Sequence, residues 1–294
     1  MLTSTALLAL LLVGEGVARF GLGFGDPPLF DAHPEVEYLA RPSSRYRRFG
    51  NVIAINAWGM RGPDFPRTRA SPEELRVMVL GDSVVYGGHH LDQGEVLSEV
   101  LRERIAAGRA GPIVVGNIAA PSWGPRNLLA YLERYGAFGA DAVAVVLSEH
   151  DLEDQPAPAP PHPAQAPLFA LEDLMRAVLR RAAPLPPPPP PREREGVVAA
   201  NLDITGRLLD LLGSDGRRVV LVLHRARAEL DGPLPAGLAA FSHVAEERGI
   251  AVIDAGPALR ADLAAGRAPY HDELHPSAEG AALLAALIAE ALGS

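Results

Sequence analysis

An α/β protein, a parallel sheet with helices on both faces, is the architecture this sequence predicts. Two observations carry it. Five short runs rich in Val, Ile and Leu, at 76–80, 112–118, 142–147, 218–223 and 250–253, are apolar over most of their length, as strands covered on both faces must be. Segments of helical character separate them, and strands alternating with helices imply a parallel sheet joined by right-handed crossovers.

The segment Leu2 to Phe24 is Leu-rich and apolar apart from Glu15 and Arg19, which lie four apart on one helical face. Spanning a bilayer takes about 20 apolar residues, so residues 1–24 are expected to form a membrane anchor or a signal-like segment. No basic cluster precedes the segment and no A-x-A-like site follows it, which favours the anchor. Residues 25–75 form an N-terminal extension rich in Pro, Gly and aromatics, with one alternating strand at 51–56. The stretch Asn56-Ala-Trp58-Gly-Met-Arg61-Gly62 follows, either as an edge strand ending in a turn or as a cleft wall using Asn56, Trp58 or Arg61.

The alternating body covers 76–294. Helices are expected at 94–107, 125–136, 197–212, 236–248, 256–264 and 277–292. Pro125 suits a first helical position, and Ala281, Leu284, Leu287, Ile288 and Leu292 make one apolar stripe. The alternation breaks over 155–195, a Pro-rich insertion. Six consecutive prolines end at Pro191 and should be polyproline II. Before them, Leu168 to Ala183 is amphipathic, with Leu168, Leu171, Leu174, Met175, Val178 and Leu179 on one side. This insertion reads as a surface helix packed on the body, a docking site for a partner, or a cap over a cleft.

Composition narrows the function. The chain has 294 residues, 48% hydrophobic and 21% charged, which suits a globular body. A net charge of −9 argues against a nucleic-acid surface. There is no cysteine, which excludes disulfides, a thiol nucleophile and thiolate metal sites.

Chemistry is suggested at two distant places. Gly81-Asp82-Ser83 follows the first strand of the body, at the carboxyl edge where open α/β sheets bind ligands. A serine there can be a nucleophile if a base takes its proton, an acid orients the base and donors hold the oxyanion. Asp272 and His275 stand three apart just before the last helix and are candidates for acid and base. His271 and His275 also form an H-x-x-x-H pair. Zinc ligation by such a pair needs both residues on one helical face, and Pro276 disfavours helical geometry at His275, so no metal is expected. Asp82 is expected to support its turn and Asp254 to cap a loop. His89 and His90 fit a solvated loop or a cleft rim. His224 and Arg225 end a strand on the ligand-binding edge and are candidates for substrate contact.

Taken together, these residues resemble the SGNH, or GDSL-like, hydrolase superfamily. Gly81-Asp82-Ser83 with Gly87 is similar to its first block, and Asp272-x-x-His275-Pro276 to its last. Asn117-Ile-Ala-Ala-Pro121-Ser122-Trp-Gly124 resembles the second block, with Ser122 where glycine is usual. Leu147-Ser148-Glu149-His150-Asp151 aligns with the third, with His150 where asparagine is usual. The N-terminal segment and Ile55 to Gly62 are similar to membrane-anchored bacterial members.

The resemblance implies a three-layer αβα, flavodoxin-like fold with a five-stranded parallel sheet, and Ser83, Asp272 and His275 as catalytic residues. It assigns the oxyanion to Ser83, Ser122 and His150. It further implies no cofactor, and a serine esterase cleaving or transferring a short acyl group, such as O-acetyl on a carbohydrate or cell-envelope glycan. The catalytic domain would then lie outside the bacterial cytoplasm. If His150 donates, an additional pH dependence between about 5 and 8 is expected. The altered second and third blocks motivate an alternative to this leading reading, a non-catalytic envelope protein that binds glycan or a protein partner.

Overall fold

A computed structural model describes residues 2–156, 162–182 and 191–293. Its centre is a five-stranded parallel sheet of β5 (Leu75–Gly81), β6 (Ile113–Ala119), β7 (Ala142–Ser148), β8 (Arg218–His224) and β9 (Ala251–Asp254). The strand order is β6-β5-β7-β8-β9, the flavodoxin-like order whose switch point lies between β5 and β7. All seven residues of β5 and of β7 are buried, which explains their unbroken apolar runs. The sheet was legible in the sequence to within one residue at each strand end.

Helices cover both faces. They are α3 (Leu97–Gly108), α4 (Pro125–Tyr135), α6 (Pro191–Gly213), α7 (Ala236–Glu246), α8 (Gly256–Ala264) and α9 (Ala278–Ala291). Pro125 opens α4 as expected. Ser277 caps α9 by accepting from the Gly280 N–H, and Ala281, Leu284, Ile288 and Leu292 are buried. α6 begins six residues earlier than the sequence suggests, because Pro191 serves as its first helical residue. The preceding prolines lie outside the described residues.

The N-terminal extension is more ordered than its composition indicates. It forms two antiparallel hairpins, β1 (Phe30–His33) with β2 (Glu37–Ala40) and β3 (Ser44–Arg48) with β4 (Asn51–Ile55). Phe30, Tyr38, Tyr46 and Ile53 join the same buried core as the sheet. Four- and five-residue strands interrupted by His, Asp and Arg carry too little alternation to stand out in sequence.

Ahead of the hairpins, α1 (Leu2–Gly16) continues into a π turn at Val17–Gly21. Ser4–Gly21 is long and apolar enough to cross a membrane, and little of it is buried.

Arg61 is wholly buried. Its guanidinium donates to the carbonyls of Tyr86 (3.0 Å), Gly88 (2.6 Å) and Leu91 (2.7 Å), pinning the segment that follows Ser83. Asn56 ties down its own turn, accepting from the N–H groups of Trp58 and Met60. The edge-strand-and-turn reading of this stretch therefore holds, and it acts as a brace rather than a cleft wall. Arg61→Met should remove three charge-assisted hydrogen bonds and leave buried carbonyls unpaired. We expect a loss of about 3 kcal/mol in the free energy of unfolding, measured by urea titration. A change below about 0.5 kcal/mol, the range of a neutral surface substitution, would refute the brace.

Candidate active site

The turn after β5 explains why the sequence reads Gly-Asp-Ser-x-x-x-Gly. A Cβ at Gly81 would lie 2.5 Å from Val85 Cγ2 and 3.0 Å from the Val146 carbonyl, so only glycine lets β7 and the next turn approach. Asp82 is the N-cap of a single helical turn, α2 (Ser83–Tyr86), and its Oδ1 accepts the Val84 N–H at 2.8 Å. Gly87 closes that turn in the left-handed region, φ 85°, where glycine carries no steric penalty. Ser83 is thus the first residue of the turn, at the carboxyl edge of the sheet. From β6, Asn117 Nδ2 donates to the Val85 carbonyl at 2.8 Å and to Ser98 Oγ, holding the turn from beneath.

The other half of the site is a tight loop before α9. Tyr270 and Pro276 form an isolated bridge, and the His271 N–H donates to the His275 carbonyl. Asp272 Oδ1 accepts the N–H groups of Leu274 (2.9 Å) and His275 (2.8 Å). From outside the loop, His224 Nε2 contacts the Leu274 carbonyl at 2.8 Å, and the Arg227 N–H donates to the Glu273 carbonyl. His224 is fully buried, and Arg225 pairs with Asp254 at 2.5 Å. The sequence offers both as substrate contacts; the structure makes His224 a support of this loop and ties the Arg225 side chain to Asp254 and to the Glu229 and Gly232 carbonyls.

Across the cleft, His275 Nε2 lies 2.9 Å from Ser83 Oγ, joining residues 192 apart in sequence. Asp272 Oδ2 lies 2.8 Å from His275 Nδ1. Partial desolvation pushes the Asp272 carboxyl up, but the two backbone N–H groups and the His275 ring outweigh it and hold the group at about 2. Near neutral pH it is a carboxylate facing an imidazole that faces a hydroxyl. Such a row can move a proton from Oγ to Nε2 and stabilise the resulting imidazolium.

The row opens into a cleft of about 590 Å³ lined by Phe49, His89, His90, His162 and His271, among others. The His90 and His271 rings stack 3.9 Å apart and 4° from parallel, and His90 Nε2 contacts the Pro276 carbonyl at 2.9 Å. Burial holds the His89 ring down at about 3 and also lowers His90, so both are neutral near pH 7. These two histidines therefore form the cleft rim rather than a solvated loop. From the insertion, His162 supplies one wall, within 3.1 Å of the Pro121 carbonyl. The H-x-x-x-H pair does not share a helical face, because α9 starts only at Ala278.

The two residues that depart from the family blocks behave differently. Ser122 has φ 62°, the left-handed region that favours glycine. Neither its N–H nor that of Ser83 has an acceptor among the described residues. His150 does not line the cleft. It borders a neighbouring hollow with Glu149, Glu153, Arg194 and Glu229. Its Nε2 lies 3.0 Å from Asp82 Oδ2 and 3.5 Å from Asp151 Oδ1.

Both of those carboxylates are buried, and each already accepts one backbone N–H through its other oxygen. The remaining oxygens face the His150 ring, and burial together with the neighbouring Asp82 pushes the Asp151 carboxyl well up. Desolvation pushes the His150 ring down, but Asp82 and Asp151 outweigh it and raise it to about 9. The titration expected between about pH 5 and 8 is thus displaced upwards. Asp82, His150 and Asp151 form the one cluster among the described residues with donor atoms close enough to hold a metal ion, and its imidazolium already balances part of the charge.

No family model matches the chain, and no curated protein does. Solved structures do. A two-domain esterase active on acetylated mannans is 13% identical over 75% of this chain and 48% of its own length, with a TM-score of 0.51. A lipase/acylhydrolase from Enterococcus faecalis is 17% identical over 74% of this chain and 96% of its own length, TM-score 0.49. A member of the lipolytic G-D-S-L family from Veillonella parvula is 14% identical over 74% and 97%, TM-score 0.46.

A histidine raised above its ordinary 6.5 binds its proton more tightly in the folded state than in the unfolded one. The stability this confers is complete below pH 6.5 and is lost as pH rises through about 9. The ring is 47% exposed, so solvent screening reduces the contribution to about 1 kcal/mol. Thermal midpoints measured between about pH 6 and pH 10 should fall more steeply for the native chain than for His150→Asn. Parallel curves would show that His150 does not carry this charge.

Proposed function

With the fold of the SGNH hydrolases as premise, we propose that this chain is a serine esterase working through an acyl-enzyme on Ser83. The observation that carries the reading is the 2.9 Å contact of Ser83 Oγ with His275 Nε2, backed by Asp272 on Nδ1. His275 takes the Ser83 proton as Oγ attacks the acyl carbonyl. The Ser83 and Ser122 N–H groups hold the oxyanion. The imidazolium returns its proton to the leaving alcohol oxygen, which frees the alcohol and leaves an ester on Ser83. Water or a sugar hydroxyl then attacks that ester with His275 again as base, giving hydrolysis or acyl transfer. His150 acts as a positioning residue through Asp82 rather than as a third oxyanion donor.

A short acyl group on a carbohydrate or envelope glycan is the substrate class we favour. The cleft is lined by the imidazoles of His89, His90, His162 and His271, polar groups that suit sugar hydroxyls better than a long acyl chain. The structural neighbour active on acetylated mannans is in keeping with this. We infer too that Ser4–Gly21, apolar and mostly unburied, anchors the body to a membrane from outside the cytoplasm.

A fluorophosphonate probe should label the native chain and leave Ser83→Ala unlabelled. On a panel of acyl esters, kcat/KM should be greatest for acetyl and fall with chain length. Ser83→Ala should lose at least about 10³-fold in kcat. An unlabelled native chain with no turnover would favour the binding-only alternative. Asp272→Asn should lower kcat by up to about 10⁴-fold with little change in KM, and an unaltered kcat would remove Asp272 from the proposed row.

A further inference from the structure

The insertion helix α5 (Ala170–Ala182) is mounted the opposite way from an ordinary surface helix. Its apolar residues recur at helical spacing, which normally marks the face turned to the core. Here the buried positions are Ala170 and Asp173. Leu171 and Leu174 are half-buried, but the rest of the apolar stripe faces outward: Met175 is 55% exposed, Val178 53% and Leu179 63%, and Leu168 just before the helix is 82% exposed. Exposing such a continuous stripe to water is unfavourable.

Polar chemistry sets this orientation. Asp173 Oδ2 accepts the Gly25 N–H at 2.9 Å and pairs with the buried Arg48. The Glu15 carboxylate, inside the candidate span, accepts the N–H groups of Ala170 (2.9 Å) and Leu171 (3.0 Å). Glu15 therefore caps the first turn of α5 while also pairing with Arg19 at 2.8 Å. The two apolar elements are locked together, with α5 starting beside Glu15, near the carboxyl end of α1. Between them and the cleft, Phe20 and Leu22 are exposed and share a hollow with Phe49, which also borders the cleft.

We propose that α5 is an interfacial helix whose outward stripe rests in a phospholipid bilayer beside α1, which holds the catalytic cleft at the membrane surface. The bilayer is the occupant because the stripe adjoins an apolar segment of spanning length. The exposed Arg176 and Arg181 suit the headgroup region, where such side chains extend towards water. This inference rests on the reading of α1 as a membrane segment.

The chain has no cysteine, so single sites can be labelled cleanly. Leu11→Cys, Met175→Cys and Glu246→Cys would each carry a nitrobenzoxadiazole probe in the full chain, reconstituted into vesicles of phosphatidylethanolamine and phosphatidylglycerol. Circular dichroism would confirm that each labelled protein is folded. Probes at 11 and 175 should shift to shorter wavelength and lose most of their emission to doxyl-labelled lipid, while the probe at 246 does neither. If 11 is quenched and 175 behaves like 246, the α5 contact is wrong and the anchor stands. A blue-shifted but unquenched 175 would mean that protein, such as a second copy, covers the stripe, which also overturns the proposal. If 11 is not quenched, the anchor reading fails, and the inference with it.

Discussion

Asp82 is the residue on which the site depends, because its two oxygens do separate work. Oδ1 caps α2 through the Val84 N–H and so fixes the turn that presents Ser83. Oδ2 faces His150. A buried carboxylate with one uncompensated oxygen is costly, and Asp151 lies beside it. The His150 ring, raised by the two acids, faces Asp82, while burial and Asp82 push the Asp151 carboxyl towards its neutral form. His150 thus acts electrostatically beneath the turn that carries Ser83. The left-handed conformation of Ser122 keeps a glycine-like backbone geometry despite the added Cβ.

The loop carrying Asp272 and His275 is held by as many contacts as the turn it faces. Its carbonyls are taken by His224 and Arg227, and its carboxylate by its own N–H groups. Neither His224 nor Arg227 is among the residues lining the cleft. They fix where the imidazole stands relative to Ser83, the geometric requirement for proton transfer. Arg61 does the same for the segment after α2. The site is therefore two short, internally bonded loops on the edge of a rigid sheet, each braced from below by a buried cation or imidazole.

The sheet was legible because both-face burial forces near-continuous apolar runs, as in β5 and β7. Ser83, Asp272 and His275 were legible because their spacing relative to strand and helix ends is itself a signal. Three things were not. The hairpins of the extension are too short and mixed to show a period. His224 and Arg225 were placed correctly on the ligand-binding edge, but sequence cannot say whether a polar side chain at a strand end turns outward or is consumed by a neighbouring loop. His150 was judged by its alignment with asparagine, whereas its orientation is decided by two carboxylates, Asp82 and Asp151, one of them 68 residues away in sequence.

Glu15 and α5 show the same limit from the other direction. In the sequence, Glu15 interrupts an apolar run within reach of Arg19, and the stripe on α5 only predicts that some apolar surface will be met. Periodicity records which side chains share a face, not what that face meets. The outcome is set by Glu15 and Asp173, which attach the helix by its opposite side to the end of α1 and to Arg48. An acid inside an apolar segment is tolerable when its oxygens are consumed, and here two N–H groups and Arg19 consume them. The residue that weakens α1 as an apolar span is thus the one that joins α5 to it, and the apolar stripe is left facing away from the body because polar anchors claimed the other side first.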